Sequence, residues 1–118
     1  IKAMSDIKTL TEKIKKFRDA RDWKQFHNPK DLALSLTLEA AEVLEHFQWK
    51  NPKEIEEYIK SNKEDIGEEL ADVLYWVLLT SHDLKIDIKK ALEKKIKKNE
   101  QKYPVNKAKG KHTKYNKL

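Results

Sequence analysis

Two stretches of this chain, residues 31–49 and 64–84, contain no lysine or arginine, although the 118-residue sequence carries 26 of them. Both stretches place Leu, Ile, Val, Ala and aromatic residues at helical spacing almost all the way round, the pattern of helices that are covered rather than solvated. Few other architectures are open to such a chain. Only 2 Gly and 3 Pro occur, too few for the turns of a sandwich or barrel. The fold expected is therefore all-α, a bundle of four to five helices. A domain of this size has little surface with which to cover two all-round apolar helices, so the core is expected to be completed by oligomerisation, as a homodimer or homotetramer.

Caps and periodicity place the elements. Ile7, Leu10, Ile14 and Phe17 recur every three or four residues, predicting a first helix from Ser5 or Asp6 to Arg21. The run Asp22–His27 breaks that pattern and puts two aromatics in a loop. Asn28-Pro29 and Asn51-Pro52 are each an N-cap followed by proline, predicting a second helix to about Phe47 and a short third one to about Ser61. A fourth helix is expected from Asn62 or Lys63 to Leu84, and a fifth from the Asp87 cap to before Tyr103-Pro104. Residues 5–104 read as the domain, residues 105–118 as a basic C-terminal tail, and residues 1–3 as a leader of cloning origin ahead of Met4.

Charge is unevenly divided. Residues 89–118 hold 12 Lys against Glu93 and Glu100, a balance of +10, whereas residues 1–88 hold 14 basic and 18 acidic groups, a balance of −4. An acidic body disfavours binding to a phosphate backbone, so a nucleic acid is not the expected partner. A helical protein that binds nucleic acid through the basic segment is the alternative reading. The chain has no cysteine, which excludes a disulfide framework, a thiolate metal site and a cysteine nucleophile. No apolar run reaches the ~18 residues of a membrane span and no signal peptide is evident, so a cytoplasmic protein without a membrane partner is expected.

The informative residues are acids in apolar surroundings. Advancing ~100° per residue sets Glu39 and Glu42 within the apolar margin of the second helix. The same construction sets Glu69 and Asp72 around Trp76 on the fourth. Burying an unpaired carboxylate is costly, and two together repel. Neither helix supplies an interior cation to offset that cost. One Glu-x-x-Glu pair is usually a solvated helix face, but two pairs on the most apolar helices point to a hard divalent cation held by oxygen ligands. Mg²⁺ suits such a site and Mn²⁺ can substitute. Glu45, near Leu38, is a candidate further ligand or water-positioning group, and Glu68 is expected to point outward or to stand behind the ligands. A di-iron Glu-x-x-His bundle is disfavoured, because only Glu42 with His46, at i+4, comes near that spacing. There is no Gly-rich phosphate loop and no Ser–His–Asp arrangement to support covalent chemistry.

Glu39-Ala-Ala-Glu42 followed by Glu68-Glu69-Leu-Ala-Asp72 resembles the metal-binding pattern of the MazG-type all-α NTP pyrophosphohydrolases. Arg21-Asp22-Trp23 through Phe26-His27, Phe47-Gln48-Trp49, and the later Lys95, Asn99, Lys102-Tyr103-Pro104-Val105 and Lys114-Tyr115 are similar to their dCTP pyrophosphatase branch. The sequence departs from the family pattern at Leu38, where many members have another Glu, and at Trp76, where some have Tyr. The resemblance implies hydrolysis of a (deoxy)nucleoside triphosphate, dCTP or a modified dCTP first, to the monophosphate and pyrophosphate, with a house-cleaning role. Glu39, Glu42, Glu69 and Asp72 would ligate the metal. Glu39 or Glu42 would act in catalysis on the attacking water. Trp23, His27, Trp49 and Trp76 would hold the base, and Lys95, Asn99, Lys102 and Tyr103 the triphosphate or sugar.

Overall fold

The structure, a computed structural model, describes residues 6–118. The proposed leader, the start at Met4 and a helix start at Ser5 all lie outside the described residues. Among those residues there are helices and turns but no strands. No helix is long and apolar enough to cross a membrane. The chain divides into two compact units, one ending at Lys85 and the other running from Ile86 to Leu118.

The first unit contains α1 (Asp6–Ala20), α2 (Pro29–Glu45) and α3 (Pro52–Asp83), with α3 packed against both others. Asn28 caps α2, its side chain accepting from the Asp31 N–H at 2.9 Å, with Pro29 in the first turn. Asn51 and Glu54 form a reciprocal capping box at the start of α3, at 2.9 and 3.1 Å. Both starts match the Asn-Pro signals in the sequence.

The expected third and fourth helices are one kinked helix. At Asn62 the backbone leaves helical geometry (φ −129°, ψ 21°), and the Asn62 side-chain amide donates to the Tyr58 carbonyl at 2.8 Å. A side chain that takes an i−4 carbonyl bends a helix without ending it. The boundary read between Ser61 and Asn62 falls at this kink, where two helical stretches join. Helix α2 also stops at Glu45, two residues before the expected end, and the following turn brings Trp49 to φ 67°. The loop at residues 22–27 contains a short 3₁₀ turn, Lys24–Phe26, entered through Asp22 at φ 55°.

Among the described residues, the buried apolar side chains are Leu32, Leu78 and Leu79. Within one chain, α2 and the second half of α3 are not covered all round. Leu34, Leu38 and Leu44 on α2 and Leu70 and Leu74 on α3 all stay largely exposed. The physical reason is the small size of the first unit, which itself has one helix, α1, to lay over a pair of helices that are apolar on several sides.

In the second unit, Asp87 caps α4 (Ile88–Lys102) by accepting from the Lys90 N–H at 3.1 Å. A four-residue α5 (Val105–Ala108) follows, and a 3₁₀ turn spans Tyr115–Lys117. No residue of α4 is buried within this chain.

Candidate active site

Helix periodicity puts Glu39 and Glu42 one turn apart on α2, and Glu69 and Asp72 one turn apart on α3. Because α2 packs along α3, the two pairs meet. One oxygen from each of the four carboxylates lies within 4.8 Å of all the others. Glu39 and Glu69 are partly buried, while Glu42 and Asp72 reach solvent. Glu45 and Glu68 are not part of this cluster.

The electrostatics follow from that crowding. Burial raises the Glu39 carboxyl above its ordinary value, and a hydrogen bond and charge from Glu42 add to the shift. Glu69 is pushed up to about 7, chiefly by hydrogen bonding to Glu42, with burial and the neighbouring carboxylates adding to it. Oε2 of Glu39 and Oε2 of Glu69 are both buried and have no hydrogen-bond partner. Buried polar atoms are seldom left so. Two orphaned oxygens within a cluster of four carboxylates are what a hard cation with oxygen ligands would satisfy, so these residues fit Mg²⁺ or Mn²⁺.

Beside the cluster opens a cleft of about 550 Å³ lined by Lys13, Ile14, Phe17, Trp23, Glu39, Asp72, Tyr75 and Trp76. That size suits a small ligand. Its aromatic wall is locked edge to face. Phe17 meets Trp23 at 5.7 Å and 75°, Phe17 meets Tyr75 at 6.4 Å and 90°, and Tyr75 meets Trp76 at 5.1 Å and 78°. Acids and aromatic rings thus share one opening.

Two further candidates of the first unit, His27 and Trp49, lie apart from this cleft. His27 does not line this cleft. It faces a separate depression of about 370 Å³ with Lys24 and His82, and reaches the cleft only through its ring contact with Trp76 at 5.5 Å and 73°. Trp49 does not line the cleft either, and the residue is 92% exposed at the turn after α2. In the second unit, Lys95 lines a groove along α4, and the Asn99 carbonyl accepts from the Tyr103 N–H at 2.8 Å. Lys102 Nζ sits 4.6 Å over the Tyr115 ring, which packs on Tyr103 at 6.2 Å. Sequence reading missed Lys13, Ile14, Phe17 and Tyr75. Ile14 and Phe17 carried a signal, their helical spacing, but it reads equally well as plain core.

The sequence profile of the MazG-like family matches residues 34–118, which include both acid pairs. The chain belongs to the MazG-like family. This MazG-like chain is 36% identical to rat dCTP pyrophosphatase 1 over 117 residues, covering 98% of the chain and 67% of the rat protein. It is 32% identical to the human dCTP pyrophosphatase 1, again over 98% of the chain and 67% of that protein. Its fold superposes on a crystallised pyrophosphatase from Archaeoglobus fulgidus with a TM-score of 0.82 and 37% identity, covering 88% of this MazG-like chain and 97% of the archaeal one.

Proposed function

We propose that this protein is a nucleoside triphosphate pyrophosphatase that cleaves the α–β phosphoanhydride of a deoxynucleoside triphosphate, dCTP or a base-modified dCTP first, to the monophosphate and pyrophosphate. The observation that carries this reading is the meeting of four carboxylate oxygens within 4.8 Å at the edge of an aromatic cleft. The similarity to dCTP pyrophosphatases supports the choice of base.

Glu39, Glu42, Glu69 and Asp72 would hold Mg²⁺. Such an ion neutralises phosphate charge and lowers the pKa of a bound water. The chain's own residues do the rest. Glu39 or Glu42 accepts the proton of the attacking water, which adds in line to the α-phosphorus as pyrophosphate departs. Trp23 and Trp76 offer ring faces for the base. The decisive test is a panel of NTPs and dNTPs with Mg²⁺, read as pyrophosphate and monophosphate in equal amounts, with dCTP expected fastest. Release of orthophosphate instead would move the cut to the terminal phosphate and overturn the reading. Losing one stacking partner costs about 1–3 kcal/mol, so Trp76→Ala is expected to raise KM for dCTP roughly 5- to 150-fold.

We further propose a homodimer or a pair of dimers built on the leucines that α2 and α3 leave exposed, Leu34, Leu38, Leu44, Leu70 and Leu74. Sedimentation equilibrium is expected to give two or four times the 14.0 kDa chain mass. A stable single-chain species at micromolar concentration would contradict it.

A further inference from the structure

Arg18 is the one charged side chain of the described residues with no exposed surface. It sits near the end of α1, and no other cation of that helix is buried. Its Nη1 donates to Asp83 Oδ2 at 2.6 Å and to His27 Nδ1 at 3.5 Å. Its Nε is 3.6 Å from Asp19 Oδ1, and neither Nε nor Nη2 makes a hydrogen bond. A guanidinium carries five donors, so this one is buried with much of its capacity unused. Replacing such an ion pair by apolar residues of similar volume is commonly neutral or stabilising. Stability is therefore a poor account of why a guanidinium is there.

Geometry is a better one. The Arg18 carbonyl accepts from Trp23 N–H at 3.2 Å, which closes the turn that delivers Trp23 to the cleft. The Arg18 side chain ties Asp83, the last residue of α3, to His27, just ahead of α2. The His27 ring in turn rests edge to face against Trp76, which lines the cleft beside Asp72. Nδ1 faces a permanent donor, so it is the acceptor nitrogen. Burial, followed by the Arg18 charge, holds His27 below its ordinary value and keeps the ring in that neutral form.

We infer that the buried Arg18–Asp83 pair is a positioning device for the aromatic wall, acting through His27 on Trp76. The inference rests on the cleft being the nucleotide site, and the experiment separates the two. The variants are Arg18→Met/Asp83→Leu, His27→Phe, and all three changes together. The double variant is expected to fold with an unchanged or higher Tm and to keep the Mg²⁺-induced rise in Tm, since the carboxylates are untouched. Its near-UV tryptophan circular dichroism should weaken. KM for dCTP should rise about tenfold with kcat within about threefold, the split expected when binding geometry alone is lost. His27→Phe should show the same signature and add little on top of the double variant, because residues acting in series are not additive. Unchanged near-UV dichroism and KM, or fully additive effects, would overturn the inference. So would a double variant that does not fold, which would make the pair a stability element. If the wild type hydrolyses no nucleotide, the proposed function fails, while the dichroism still decides whether the pair positions Trp76.

Discussion

Glu42→Gln and Asp72→Asn are each expected to lower kcat/KM for the nucleotide by roughly 10²- to 10³-fold, since a metal's charge stabilisation is worth several kcal/mol and each ~1.4 kcal/mol is tenfold. Both replacements keep the shape of the side chain and remove one negative charge from a set of four within 4.8 Å. In the protein without metal, that removal relieves repulsion, so Tm is expected to stay equal or rise. With Mg²⁺ the order should reverse. Wild-type protein gains stability from binding in proportion to RT ln(1 + [L]/Kd), and the variants gain less. Thermal melts with and without Mg²⁺, beside turnover, check both halves. Wild-type turnover in either variant would remove that residue from the mechanism, and a lowered apo Tm would show that the acid is structural.

The second large effect is on pH. The folded protein raises Glu39 and holds Glu69 up at about 7, whereas an unfolded glutamate titrates near 4.5. A carboxyl that holds its proton more tightly when folded favours folding at low pH. Its contribution is fully present below the unfolded value and is lost as pH rises through about 7. The metal-free protein is therefore expected to lose Tm between pH 5 and pH 8, and Glu69→Gln to lose distinctly less over the same range. Protons and a divalent cation compete for the same oxygens. The rise in Tm produced by a fixed Mg²⁺ concentration should thus be larger at pH 8 than at pH 6. Differential scanning fluorimetry across that range, on wild type and Glu69→Gln, is sufficient. A wild-type curve parallel to the variant's would show that the cluster does not hold its protons as described.

Helix starts and the acid pairs are local properties, and they could be read directly. Asn28, Asn51 and Asp87 cap their helices as written, because capping involves only the next three residues. Glu39 with Glu42 and Glu69 with Asp72 stand out because a polar residue in an apolar helical stripe is visible at a spacing of three or four. Asn62 was half legible. The break in pattern is in the sequence, but only the bond from its amide to the Tyr58 carbonyl decides that the helix bends and continues.

What the sequence by itself determined is the helical class, the positions of the caps and which carboxylates share a helix face. The tertiary structure alone decided which faces meet. It packed α2 on α3 so that four acids share one site. It also turned Phe17 and Ile14 from apparent core into cleft wall, and buried the cation Arg18 of the same helix. Trp23 and His27, only four residues apart, line different cavities, with the 3₁₀ turn Lys24–Phe26 between them. The reason is one of range. Propensity, capping and periodicity act over about four residues, while the choice of partner face depends on side chains as far apart in sequence as Arg18 and Asp83, 65 residues, finding each other at 2.6 Å.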